Sequence, residues 1–485
     1  VTSGDTGVMI PFLFLVGGAF VIYLVARLIT SRNHWLALLT ALIFAGALVS
    51  LLVLRRAPGV AVPMWGDAAP GGVVLRADAG AIFIGGIALG MGTCVAIYSG
   101  RYLRLDQRYK TYYPLLLLMI TGLLGMVMTS DLFSLYMFCE LMSVASYVLV
   151  AFRRRTDTSI EAGFKYLVMG SVGTITLLMG ITLIYRETGV LTLPQPIIAP
   201  GMWARAGLAC LWVGLGLKSA IVPLHTWQPD AYGRAPGSVS ALFSGMLAPF
   251  YVLLKVSLAL GFPARDLGLG LMLCGLANML VGNGMALVQT HTKRLLAYSS
   301  IAQMGYGLFS VGVGLRHALP SAIQAGFFLL LAHAAMKGLA FLSKGVCNFY
   351  DHTTQVAELR GVFYRLPPVA LTFGIAIMGL VGIPPLAGFA GKWFILTQVW
   401  QARDVWVYAG IVVFLLMLLL SLGYYLPMLA LLFAPAPELP PMPVKISRWL
   451  LAPLLALAAL VLWLGIAPGW WLQWAGEAAA ALGVG

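Results

Sequence analysis

The stretch LFSLYMFCELMSVASYVLVAF, residues 132–152, carries a single charge, Glu140, in a run long enough to cross a bilayer. Glu140 stands nine residues beyond Asp131, which at ~1.5 Å per residue places it ~13 Å deep, near the membrane midplane. A carboxylate at that depth costs several kcal/mol unless it is paired, hydrated or protonated, so it is read as functional. The other acidic residues fall in expected loops, tails or helix ends. Four lysines, Lys218, Lys255, Lys337 and Lys392, lie in other apolar runs. One acid and several bases at membrane depth point to a path for protons or cations.

Working outward, 61% of the 485 residues are apolar and only 9% are charged, against about 25% charged in a soluble domain. The runs do not alternate as barrel strands would. The fold class is therefore an all-α polytopic membrane protein. About fourteen spans are expected, near 8–29, 35–54, 79–100, 113–129, 132–152, 162–185, 204–229, 237–261, 267–289, 294–313, 319–345, 367–397, 405–433 and 447–467. No soluble domain fits, and no long amphipathic extension is expected after the last span. The opening at Val1 shows no basic n-region or small-residue cleavage site, so no signal peptide is expected.

The net charge of +14 reads as cytoplasmic loops plus buried lysines, not as a nucleic-acid surface. Of the thirty basic residues, seventeen fall on the side of the first connection and eight on the other. Five lysines lie within spans. By the positive-inside rule the richer side is cytoplasmic, and an even number of spans then puts both termini outside. The expected location is a prokaryotic inner membrane. The five cysteines are scattered, and neither a disulfide framework nor a metal centre is expected.

Spans seven and twelve look broken: Pro223 interrupts LGLKSAIVPLHTWQP and the Pro384–Pro385 pair interrupts GLVGIPPLAGFAGKWFI. A break at membrane depth is tolerated where it lines a cavity or is buried in protein. Two breaks five spans apart, each beside a lysine (Lys218, Lys392), suggest two inverted five-helix repeats. The expected division is 1–112, an N-terminal three-helix segment; 113–261 and 262–433, the repeats; and 434–485, a C-terminal helix and tail.

Four segments carry a family resemblance: GLKSAIVPLHTWQPDAYGRAPGSVSALFSG (216–245), KRLLAYSSIAQMGY (293–306), HAAMKGLAFLSKG (333–345) and GIPPLAGFAGKWF (382–394). Together they resemble the proton-conducting, antiporter-like membrane subunits of respiratory complex I, group 4 membrane-bound hydrogenases and Mrp-type Na⁺/H⁺ antiporters. The resemblance implies a proton-translocating subunit of a larger redox-driven complex, with other membrane-arm and peripheral redox subunits as partners. It implies that Glu140 pairs with Lys218 and that Lys392 ends a central polar axis. The family's lysine or histidine soon after the SALxSG motif is absent here, where Met246 to Pro249 stand instead, and Lys255 comes later.

The residues themselves add detail. His333 and Lys337 are four apart, so they share a helix face, and a histidine can shuttle protons near neutral pH. His225, two residues past Pro223, reads equally as relay or structural hydrogen bonder. The proton relay is thus assigned to Glu140, Lys218, Lys255, His333, Lys337 and Lys392, with His225 as a further candidate. Lys344 is read as snorkelling to the interface. His291, Lys293 and Arg294 read as an entry mouth or as positive-inside anchors. Glu161 and Lys165 read as a local i, i+4 pair, and Arg153 to Arg155 as topology and headgroup contacts. No Walker, dinucleotide or iron–sulfur pattern appears, so no cofactor is expected in this chain and partner subunits must supply the free energy. The competing reading is an Mrp-type Na⁺/H⁺ antiporter large subunit. It is disfavoured because a sodium site wants clustered oxygen ligands and Glu140 is the lone deep carboxylate.

Overall fold

The computed structural model describes residues 7–28, 33–56, 59, 61–65, 73–104, 106, 108–153, 157–193, 196–197, 200–435 and 443–483. Helices dominate, in the order the apolar runs dictate. Among the described residues, eleven are long and apolar enough to cross a membrane, from Gly7–Leu28 to Arg448–Ile466. The other three expected spans are the broken seventh and twelfth, and Thr292–Arg316, whose Lys293, Arg294, Ser299, Ser300 and Gln303 dilute its apolar character. The eleventh span, Pro320–Asp351, is the axis of the bundle. Its apolar window is wholly buried, and it packs on spans ten, twelve and fourteen.

Both breaks are real. The seventh span runs Met202–Lys218 and resumes as Trp227–Arg234. The twelfth runs Pro367–Val381 and resumes as Ala387–Val399. Each interruption holds a residue of positive φ, Ala220 at 52° or Gly382 at 98°, and a cis X–Pro bond, Val222–Pro223 or Pro384–Pro385. A helix that stops in a low-dielectric interior leaves carbonyls and amides that water cannot reach, so protein groups must satisfy them. At the seventh span Trp227 Nε1 donates to Leu217 O at 2.8 Å. The Asn278 amide accepts from Val222 N at 2.8 Å and donates to Ala220 O at 3.4 Å. At the twelfth, Lys392 Nζ donates to Leu380 O at 2.6 Å and to Val381 O at 3.0 Å, joined by Gln303 Nε2 on Leu380 O at 3.2 Å.

Close helix pairs rest on small residues, as expected where no hydrophobic drive separates helix from lipid. Spans nine and ten meet at Gly275 and Gly305: a Cβ on Gly275 would lie 2.6 Å from the Phe309 backbone nitrogen.

Two elements depart from the sequence reading. The connection 55–78 between the second and third expected spans contains an antiparallel hairpin, β1 (Ala61–Trp65) with β2 (Val73–Arg76), paired Ala61 to Arg76 and Val62 to Leu75. Its strands are too short to register as a hydrophobic period. The tail after the last span forms a twelve-residue helix, Gly469–Ala480, packed on spans three and eleven. Arg55 fastens it by two hydrogen bonds to Glu477, 2.8 and 2.7 Å, and lies 5.4 Å over the Trp470 ring.

Replacing Asn278 by Leu keeps its branched shape but strands Val222 N–H and Ala220 C=O. Each unsatisfied buried group costs ~1–3 kcal/mol, so the purified variant should unfold at a clearly lower temperature than wild type. An unchanged unfolding temperature would show that the break does not depend on this amide.

Candidate functional site

Lys218 is the last residue of the first half of span seven and is buried. Its Nζ donates to Ser143 Oγ at 2.6 Å and to Tyr147 OH at 2.9 Å, both one or two turns along span five from Glu140. The anticipated Glu140–Lys218 ion pair is not formed. Among the described residues Glu140 has no basic group within 4 Å. The helical repeat explains this. Phe133, Met137, Val144 and Val148 form an exposed stripe on span five, and Glu140 lies half-buried at the rim of that stripe. Cys139, Ser143 and Ser146 face the interior instead. Two residues that are close in depth therefore point in different directions.

Lys337 is fully buried on the central span. Its Nζ donates to Leu296 O at 2.7 Å and contacts Ser299 Oγ, with the Tyr425 ring at 6.0 Å. His333, one turn away, is also buried, and its Nδ1 has no hydrogen-bond partner. Lys392 caps the broken twelfth span as described and lies 5.6 Å over the Tyr306 ring. The charges of Lys337 and Lys392 lie close enough to repel. Polar groups of span ten lie between Lys337 and Lys392: Lys337 bonds Leu296 O and Ser299, and Gln303, four residues beyond Ser299, shares Leu380 O with Lys392. A side branch runs from Tyr306 through Asn283 to Tyr424, at 3.4 and 2.8 Å.

The structure does not bring every candidate to this line. Lys255 lies at a helix-end layer. It pairs with Asp78, the N-cap of span three, at 2.7 Å and donates to Val127 O, near the end of span four, at 2.9 Å. Tyr251 OH also donates to Asp78 at 2.8 Å. This cluster borders an open cavity of about 830 Å³ lined by Arg76, Ser130 and Glu477, away from the central seam. His225 sits half-buried inside the break, its Nδ1 without a partner. Glu161 and Lys165 do form their exposed local pair, at 2.6 Å. Arg153 turns inward to Asp106 at 3.1 Å and stacks on Tyr102, in place of the headgroup contact expected of it. Arg154 and Arg155 lie outside the described residues. Lys344 does not snorkel. It is 1% exposed and donates to both Thr353 O and Thr353 Oγ1 at 2.7 Å.

Sequence reasoning passed over Asn278, Asn283, Tyr147, Tyr306 and Tyr425. The signal was present for the two asparagines, since they are the amide side chains of the helix Ala264–Leu287 and polar side chains inside a membrane are rarely idle. The tyrosines gave none, because tyrosine is common in apolar helices. Among the described residues no three His, Cys, Asp or Glu side chains converge as a metal site would need.

The chain matches the family model described as NADH:quinone oxidoreductase/Mrp antiporter, TM, over residues 129–419. It is 31% identical to F(420)H(2) dehydrogenase subunit N of Methanosarcina mazei over 428 residues, 84% of this chain and 85% of that protein. It is 31% identical to NADH-quinone oxidoreductase subunit N of Desulforudis audaxviator over 424 residues, 83% of each. Among solved structures it resembles a chain of the Mrp complex from Dietzia sp., with TM-score 0.89 and 23% identity over 99% and 98% of the two chains. It also resembles a chain of respiratory complex I from Thermus thermophilus, with TM-score 0.76 and 29% identity over 96% and 98%.

Because Glu140 and Lys218 do not touch, their mutations should act independently on stability. In a double-mutant cycle, Glu140→Gln and Lys218→Met should couple by less than about 0.5 kcal/mol, the limit for groups without shared contacts. Lys218→Met and Tyr147→Phe, which share a hydrogen bond, should couple more strongly. Strong coupling in the first cycle would mean that the pair closes in solution.

Proposed function

The chain belongs to the NADH:quinone oxidoreductase/Mrp antiporter transmembrane family, and on that premise we propose that it translocates protons as one membrane subunit of a redox-driven complex. The observation that carries this reading is the bonding of Lys218, Lys337 and Lys392. All three are buried, and among the described residues all three hydrogen-bond only to neutral hydroxyls and carbonyls. A structural buried ammonium is normally matched by a carboxylate. A lysine held by neutral acceptors can pass a proton on, because the amine that remains still donates to the same carbonyl or hydroxyl. Repulsion between Lys337 and Lys392 disfavours both being charged at once, so a proton gained by one favours release from the other.

The relay then runs from Lys218, beside the first break, to the His333–Lys337 turn and on to Lys392 at the second. Glu140, on the rim of span five, makes no contact with Lys218 and acts from the periphery of the path. The bonding of Lys255 to Asp78 and Val127 supports a place at the end of the path, outside the central line. The matching breaks, five spans apart, support two inverted units, residues 113–261 and 262–433. The seventeen-residue basic side faces the cytoplasm, the membrane is the prokaryotic inner membrane, and both termini lie outside. The sequence of this chain offers no electron-transfer motif, so peripheral redox subunits supply the driving force, as the names of its relatives suggest. Dedicated Na⁺ exchange is the weaker reading, since the buried charges here are lysines and sodium wants clustered oxygens.

In the intact complex reconstituted in vesicles, Glu140→Gln and Lys392→Met should each leave assembly unchanged on a native gel and largely abolish proton translocation. Wild-type pumping in both assembled variants would rule the proposal out.

A further inference from the structure

Lys344 has no part in the relay just described, yet it is one of the most deeply buried charged groups in the chain. It lies seven residues beyond Lys337 on the same helix, two turns or ~10 Å along, and so shares its face. Lys344 borders a small, partly open cavity of about 20 Å³, together with Tyr102, Gly237, His291, Lys293 and Thr353. That volume fits about one water molecule. Thr353 and Thr354 of the loop 353–356 line it. Thr292 N donates to Thr354 O at 3.1 Å and Val356 N to Thr290 O at 2.8 Å, and Gln355 pairs with His291. The loop thus holds Thr353 against Lys344. Two buried polar atoms at this place lack partners, His291 Nδ1 and Thr292 Oγ1. Lys293, the other ammonium at the cavity, is tied to Ala235 O, and its charge repels that of Lys344.

Thr292 stands one turn before Leu296, whose carbonyl Lys337 holds. Span ten and span eleven therefore present two polar stripes that converge. One is Thr292, Leu296 O and Ser299; the other is Lys344, Lys337 and His333. We propose that the cavity bounded by His291, Lys293 and Lys344 is a proton-uptake port of the second half of the chain, and that Lys344 is its first relay to Lys337. This rests on the translocation reading above and assigns that path an inlet from the basic face. A hydronium at the cavity gives its proton to the Lys344 amine, forming an N–H bond and leaving water. The ammonium then releases a proton along the Thr292–Ser299 side to the Lys337 amine, which must already have passed its own proton toward Lys392. Thr292, buried on span ten one turn before Leu296, has a hydroxyl without a hydrogen-bond partner among the described residues.

The test uses the assembled complex in vesicles. Lys344→Arg keeps the charge and the means to bond Thr353 but holds its proton throughout. It should assemble normally and translocate protons about tenfold or more slowly, while Lys344→His, which can exchange a proton, should recover part of the rate. If Lys344 merely positions the loop, Lys344→Arg will pump at the wild-type rate, and that result overturns the port. Should Lys344→Met fail to assemble, the arginine and histidine variants still decide. Lys392→Met separates the two levels of the claim. A fully active Lys392→Met sinks the translocation reading itself. An inactive Lys392→Met beside a fully active Lys344→Arg sinks the port alone.

Discussion

The backbone groups released where spans seven and twelve break are the constraint on which the rest of this structure depends. In a membrane protein each such group must find a partner inside the protein, at a cost of several kcal/mol if it does not. The two breaks meet this demand differently. At the seventh, an uncharged amide, Asn278, and an indole, Trp227, take the carbonyls and the amide. Lys218 is thereby left free to bond the hydroxyls of span five. At the twelfth, the lysine itself is the cap. A cation at the carbonyl end of a helix is also favoured by the helix dipole. The feature that makes the break tolerable thus fixes a titratable group at the interruption of the span.

From that placement the functional line follows. Lys392 and Gln303 meet on one carbonyl, and Gln303 lies on the helix whose Leu296 and Ser299 hold Lys337. The apolar window of the central span is wholly buried, and His333 and Lys337 are walled from lipid there. Neutral acceptors at each lysine keep the geometry indifferent to whether the ammonium or the amine is present. A carboxylate partner would instead hold the proton in place, as Asp78 is positioned to do for Lys255 at the helix-end layer.

Much of this was legible in the sequence. Long apolar runs gave the spans, since only a helix satisfies its own backbone in lipid. Prolines inside two runs gave the breaks, because proline removes a donor wherever it falls. Lysines in apolar runs gave Lys218, Lys337 and Lys392. Direction was harder to read. Depth placed Glu140 beside Lys218, but a rotation of a fraction of a turn sends Glu140 to the rim and Ser143 to the lysine. Lys344 looked like an interface anchor because it is near a helix end. Its burial comes from a loop some ten residues later in the chain, and no local pattern announces that contact. The hairpin β1–β2 and the helix Gly469–Ala480 were missed for a similar reason: each is short, and each is held by distant residues, Ser130 through Val74 O and Arg55 through Glu477.

The central claim is that the lysine at the second break exchanges protons and does not serve as a cap alone. The most direct test is proton translocation by the assembled complex carrying Lys392→Arg. Arginine retains the charge and can still donate to Leu380 and Val381, yet it does not give up its proton. The account predicts a complex that assembles and keeps its thermal stability but no longer moves protons through this subunit. Translocation at the wild-type rate would contradict it and leave Lys392 as a structural cap.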